Sequence, residues 1–203
     1  SYMFYNCSKL TSLDLDNLNA VSLEYIDSIF MYCSGLTYLN LNNFDIGKVK
    51  NMSYLFYGLT SLISLNLENI NTSNVENMEY LFYDCKQLIS LNVSDFDTHN
   101  VRNMFYMFGG CSRLIDIDLF NFDTSNVTNM ANMFSGCSNL ISLNLSNFVT
   151  YTVENMSQMF NGCSKMQYLD ILSFNTSQVK NMSYMFSNCR AFEFLGSISA
   201  SFS

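Results

Sequence analysis

The chain has 203 residues, 17 of them acidic and 9 basic, for a net charge of −8. An acidic surface repels phosphate backbones, which disfavours nucleic-acid binding, and no apolar run is long enough to span a membrane. Apolar residues make up 49 %, enough for a substantial core, while Pro and Trp are absent altogether; a backbone without proline fits one whose N–H groups are nearly all used by ladders or helices.

The chain opens at Ser1 inside a repeat, with no starting Met and no charged-then-apolar leader, so it is expected to be a piece of a longer protein. The repeat is announced by Phe4, Phe30, Phe56, Phe82, Phe108, Phe134, Phe160 and Phe186, which recur every 26 residues. Cysteine keeps the same step at Cys7, Cys33, Cys85, Cys111, Cys137, Cys163 and Cys189, with Leu59 in the one skipped place. The pattern predicts a single solenoid domain over 1–203, with an atypical first unit over about 1–35 and a degraded last unit over about 190–203.

Each unit begins with a short strand. Leu62–Ile70 reads LISLNLENI, and the same frame returns from Leu88, Leu114 and Leu140; the alternation about Leu65 and Leu67 is the period-2 signature of a strand. Asn or Asp then recurs at Asn17, Asn43, Asn69, Asp95, Asn121 and Asn147, where it is expected to bond backbone at the turn out of the strand. A polar turn follows. Ser73 and Glu76 have capping-box spacing, and Val75, Met78, Leu81 and Phe82 mark one apolar face of a short helix. Gly58, Gly110, Gly136, Gly162 and Asn188 suit a left-handed turn at its end. The expected fold is therefore α/β: a right-handed, leucine-rich-repeat-like solenoid of about eight strand–turn–short-helix units with one parallel sheet.

The stretches Asp123-Thr124-Ser125-Asn126-Val127-Thr128-Asn129-Met130 and Met133-Phe134-Ser135-Gly136-Cys137-Ser138 carry a family resemblance. The chain resembles the 26-residue bacterial surface protein repeat, the BspA-like leucine-rich repeat, over essentially its whole length. That resemblance implies a solenoid on secreted proteins or lipoproteins and a role in attachment. One spacing departs from ordinary leucine-rich repeats: a single residue, Glu68, separates Leu67 from Asn69.

Chemistry-bearing residues are sparse. The cysteines lack C-x-x-C spacing, and Leu59 fills one of their places, so buried thiols are expected rather than disulfides or metal ligands. His99 lies in a variable polar turn with no nucleophile beside it. Asp14, Asp118 and Asp170 share a column with Asn, which suits a polar face better than a catalytic dyad. The Thr column (Thr72, Thr98, Thr124, Thr150, Thr176) suits turn bonding better than an ice-binding ladder. No cofactor and no enzymatic role are expected.

Two surfaces are candidates for binding. Tyr54, Tyr80 and Tyr106 fall on the outward side of the expected helix, with Tyr2 and Tyr184 in the same column and Tyr57 and Tyr83 alongside; the rings make either a recognition stripe or a lid over Met and Phe. The strand face is mostly Ser, Asn and Asp but turns apolar towards its end, at Phe120, Tyr168, Leu172, Phe194 and Ile198. Phe120, Tyr168, Leu172 and Phe194 are the expected anchors. The composition leaves two functions open: a surface-displayed adhesion module for a protein or cell-surface ligand, or a subunit that stacks on itself end to end.

Overall fold

A computed structural model describes residues 2–16, 18 and 22–193, with backbone alone at 194 and 195. Among the described residues there are six short strands: β1 (Ser12–Asp14), β2 (Tyr38–Asn40), β3 (Ser64–Asn66), β4 (Ser142–Asn144), β5 (Tyr168–Asp170) and β6 (Phe194–Leu195). All pairings are parallel and offset by one repeat, so that Leu13, Leu39 and Leu65 stand in one row and Leu143, Leu169 and Leu195 in another. The expected single sheet is instead two, β1-β2-β3 and β4-β5-β6. The break falls at residues 90–92 and 116–118. There Asp116 and Asp118 place two poor strand formers in one three-residue segment. One row of bonds still crosses it, from Ile115 N–H to Ile89 O and from Ile141 N–H to Ile115 O, each 3.1 Å.

The expected short helix is overturned: among the described residues there is no helix. The segment from Met78 to Leu88 is a run of β-turns. Leu81 N–H reaches Met78 O, Tyr83 reaches Tyr80, Cys85 reaches Phe82 and Leu88 reaches Cys85, each three residues back. The intervening N–H groups leave the coil: Met78 donates to Asn103 O, Tyr80 to Phe105 O, Phe82 to Met107 O and Asp84 to Gly109 O. Left-handed residues at Tyr80 (φ 54°) and Asp84 (φ 60°) forbid helical continuation. Apolar spacing predicted a helix because a turn run of this pitch also buries every third or fourth side chain.

Asn side chains hold the corners. Asn51, Asn77, Asn103, Asn129, Asn155 and Asn181 form a continuous parallel row of bridges. Each also accepts, on Oδ1, the N–H two residues ahead. Asn71 does the same for Ser73, which displaces the expected Ser73–Glu76 capping box. At the strand exit Asp14, Asn40, Asn66, Asn92, Asp118, Asn144 and Asp170 repeat the device. Such Asx turns are how a chain without proline bends at fixed positions.

The core is a set of columns. Phe rings stack from Phe4 through Phe186 at 5.3–6.1 Å, buried throughout from Phe30 to Phe160. Each aromatic contact of this kind adds about 0.5–1.5 kcal/mol beyond area burial. The thiols of Cys33, Cys85, Cys111, Cys137, Cys163 and Cys189 donate to the carbonyl of the Phe one coil back. Thr72, Thr98, Thr124 and Thr150 are buried and donate to a carbonyl of the next coil.

Candidate binding surfaces

The tyrosines gather on the turn wall of the first coils. Tyr54, Tyr80 and Tyr106 stack in a row at 4.9 and 5.1 Å. Tyr57 and Tyr83 stack beside them at 4.8 Å. Edge contacts tie the two rows together, Tyr80 to Tyr83 and Tyr83 to Tyr106, each at 5.3 Å. The belt continues through Tyr32, Tyr5 and Tyr2 at one end and takes in Phe105 at the other. Inside it the rings are half-buried against one another, so it is neither a free stripe nor a closed lid. The expected helical wheel placed Tyr54, Tyr80 and Tyr106 outward; they reach the surface instead because each stands at a left-handed turn position.

Two acidic groups border the rings. Glu79 accepts Asn103 Nδ2 at 2.7 Å, and Asp84 pairs with Lys86 at 3.1 Å. Burial, then the neighbouring tyrosines and Glu79, push the Tyr80 hydroxyl up to about 12. Burial and Glu79 raise Tyr54; burial, Asp84 and the adjacent rings raise Tyr83. Gly109 closes the belt: a Cβ there would lie 2.5 Å from Tyr106 Cδ1 and 3.2 Å from Tyr83 Cδ2. Tyr184 stands outside it, beyond Asn132 and Gln158 in the same column.

On the strand face Phe120 is 76 % exposed, and Tyr168 and Leu172 are about half exposed. Phe120 and Leu172 lie in one column with Ser146 between them. Tyr168 donates its hydroxyl to Glu193 at 3.2 Å. The side chain of Phe194 and the whole of Ile198 fall outside the described residues. The segments that build this face, from residues 12–16 to residues 168–174, contain no Lys or Arg but do contain Asp14, Asp16, Glu68, Asp95, Asp116, Asp118 and Asp170. An exposed row of Ile63, Ile89, Ile115 and Ile141 flanks the strands. Sequence reasoning missed that row, although the recurring LIS triplet marks it, and it also missed Tyr5, Tyr32 and Phe105.

Elsewhere the arrangement is structural. Cys85, Cys111, Cys137 and Cys163 are buried free thiols, and burial pushes Cys111 up to about 12, far from a nucleophilic thiolate. His99 pairs through Nδ1 with Asp97 Oδ1 at 2.6 Å on an exposed turn. Among the described residues no three metal-ligating side chains converge. No helix there is long and apolar enough to cross a membrane.

Parallel strands stepped by one repeat, with core columns running through the stack, define a leucine-rich-repeat-like solenoid. The chain belongs to the family described as "Mycoplasma protein of unknown function, DUF285", which matches residues 1–117 and 114–199. No curated protein matches it. Among solved structures, a leucine-rich repeat protein of T. pallidum shares the fold at a TM-score of 0.57, with 18% identity over 91% of this chain and 78% of that one. A leucine rich cell surface protein from Faecalibacterium prausnitzii A2-165 is similar at 15% identity over 94% and 73%, at a TM-score of 0.25.

Proposed function

We propose that this chain is a non-enzymatic binding module, a stack of eight 26-residue coils displayed at a cell surface as the BspA-like resemblance implies. It recognises a protein or another cell-surface ligand. The observation that supports this most is the tyrosine belt: contiguous, partly solvent-facing and held on a hydrogen-bonded scaffold. Tyrosines on a rigid frame offer large contact area at little entropic cost, the usual make-up of a binding hot spot. The exposed Phe120, Tyr168 and Leu172 form the second candidate face. Retention of the labelled chain on a panel of intact eukaryotic and bacterial cells tests this. The triple variant Tyr54→Ser, Tyr80→Ser, Tyr106→Ser loses retention, whereas Phe120→Ser with Leu172→Ser keeps it. Equal retention of the triple variant and the parent removes the belt from binding.

End-to-end assembly is the competing reading, and one observation favours it. An apolar hollow of about 190 Å³ is lined by Met3, Leu15, Leu18, Leu23, Tyr25 and Phe44 of the first two coils. Sedimentation velocity across a concentration series separates the two: a constant species near 23.3 kDa supports the binding module, and growing rods support assembly.

A further inference from the structure

Charge is unevenly spread around the coil. The four residues that lead into each strand, from 7–10 in the first unit to 189–192 in the last, carry five of the nine basic residues and none of the 17 acidic ones. The five are Lys9, Lys86, Arg113, Lys165 and Arg190, and the last four fall within five neighbouring coils. Two residues beyond Arg113 and Lys165 the backbone forms a ladder. Ile115 N–H bonds Ile89 O, Ile141 bonds Ile115, Gln167 bonds Ile141 and Glu193 bonds Gln167, at 2.8–3.1 Å. Coils paired in this way repeat at about 4.8 Å, so Arg113, Lys165 and Arg190 form a ridge about 15 Å long.

The cations on this ridge are positioned without being neutralised. Arg113 donates to Gln87 Oε1, and Lys165 donates to Asn139 Oδ1 at 2.6 Å. Both acceptors are uncharged amides one coil back in the same column, and Asn139 is itself fixed by donating to Ser112 O. Arg113, Lys165 and Arg190 are exposed and make no ion pair among the described residues. Other lysines are held by carboxylates: Lys50 by Glu76 at 3.0 Å, Lys86 by Asp84 at 3.1 Å and Lys180 by Glu154 at 2.9 Å. In a chain of net charge −8, the ridge is thus a line of unbalanced positive charge.

The line is narrow. In the flanking columns stand Asp84 on one side and Asp116 and Glu193 on the other. A broad anionic surface, such as a membrane or a nucleic-acid duplex, brings its phosphates against those carboxylates. A single-stranded nucleic acid needs aromatic platforms, and these segments carry no exposed aromatic ring. A thin chain with repeated anionic groups fits the ridge, and guanidinium and ammonium groups both bind tetrahedral oxyanions. We propose that the ridge binds a linear sulfated polysaccharide, its sulfates seated on Arg113, Lys165 and Arg190. The proposal deepens the binding-module reading, and rests on it, by naming a ligand class for a ridge outside the tyrosine belt.

Calorimetric titration of the whole chain with a heparin decasaccharide at low salt tests it. The fully desulfated decasaccharide and a single-stranded thymidine oligonucleotide of equal charge serve as comparisons. The heparin oligosaccharide binds, and log affinity falls with log salt at a slope of about −2 to −3, as three cations releasing counterions from a linear polyanion require. The desulfated form does not bind, and the oligonucleotide binds about tenfold more weakly or worse. Arg113→Glu with Lys165→Glu lowers heparin affinity about tenfold or more. Lys48→Glu with Lys180→Glu makes the same change in net charge away from the ridge and leaves affinity within about twofold. Equal losses in the two double variants overturn the proposal, as does binding that survives desulfation or an oligonucleotide that binds as tightly. If heparin fails to bind while cell retention still depends on Tyr54, Tyr80 and Tyr106, the ridge is wrong and the binding module stands. If cell retention is indifferent both to those three rings and to Arg113 with Lys165, the underlying reading falls.

Discussion

The turn wall up to Tyr106 and the turn wall beyond it share one backbone and carry different surfaces. Tyr54, Tyr80 and Tyr106 give way to Asn132 and Gln158, yet all five residues keep φ between 53° and 59°. Tyr57 and Tyr83 give way to Gly109, Ser135 and Asn161. Beneath them the Phe stack, the thiol bonds and the Thr bonds run on without change. The scaffold is therefore specified by inward columns and corner Asn residues, and the outward positions of the turn run are free to carry function. That is the division of labour expected where each repeat contacts only its neighbours.

If the halves differ only in decoration, core substitutions cost the same in both. Phe82→Ala under the belt and Phe134→Ala beyond it each destabilise by about 3–5 kcal/mol, by removing a buried ring and leaving a cavity. Urea unfolding followed by circular dichroism measures both. A markedly smaller cost for Phe134→Ala means that the belt adds to the core beneath it.

The Thr column gives the next largest effect. Thr72 Oγ1 donates to Asp97 O at 2.9 Å and accepts Asp97 N–H at 2.8 Å; Thr124 does the same with Val149. Thr→Val at either site leaves a donor and an acceptor unpaired, at about 2–3 kcal/mol. Equal losses in the two halves support a common scaffold, and unequal ones break it.

Much of this scaffold is legible in sequence, because a fixed period exposes every inward column at once. The Phe and Cys columns, the glycine turns and the parallel register all follow from spacing. The helix does not, because apolar spacing reports which side chains are buried and not where backbone N–H groups go. The bonds from Met78, Tyr80 and Phe82 to the next coil exist only once coils are stacked. The belt was half legible. Tyr54, Tyr80 and Tyr106 share a column, but Tyr32 belongs to another and reaches Tyr57 only across the gap left by Gly58, where a Cβ would lie 2.8 Å from its Cδ1.

Gly109 marks the boundary between the two walls. Gly109→Ala pushes a methyl into Tyr106 and Tyr83 and costs about 1–2 kcal/mol through overpacking. Ser135→Ala, one coil on in the same column, changes stability by less than about 0.5 kcal/mol. Equal effects dissolve the boundary. Alkali separates the halves too. Tyr80 is held neutral up to about 12 in the folded chain, above the ordinary tyrosine value of 10.0, so the stability it contributes is intact below pH 10 and is lost as pH climbs towards 12. Hydrogen exchange at the two ends of that window shows protection falling first in the coils around Tyr80; uniform loss along the chain contradicts the assignment.

Extending the belt has the smallest effect on stability and bears most directly on the comparison. Asn132 follows Tyr106 in its column and is buried, and its Oδ1 is a buried oxygen without a hydrogen-bond partner. Asn tolerates left-handed backbone better than Tyr does, which favours the parent. Asn132→Tyr removes the unpartnered oxygen and adds one stacked ring, worth about 0.5–1.5 kcal/mol. The two sides nearly cancel, and the variant is expected to match or exceed the parent by less than about 1 kcal/mol while its near-ultraviolet dichroism grows. Three preceding coils already hold Tyr in this conformation, so the backbone cost is small. A loss larger than about 1 kcal/mol means that side chains such as Ala131 and Ser157, buried beside this position, end the belt by packing. In that case the outward columns are not free, and the contrast between the two walls is built into the core as well as the surface.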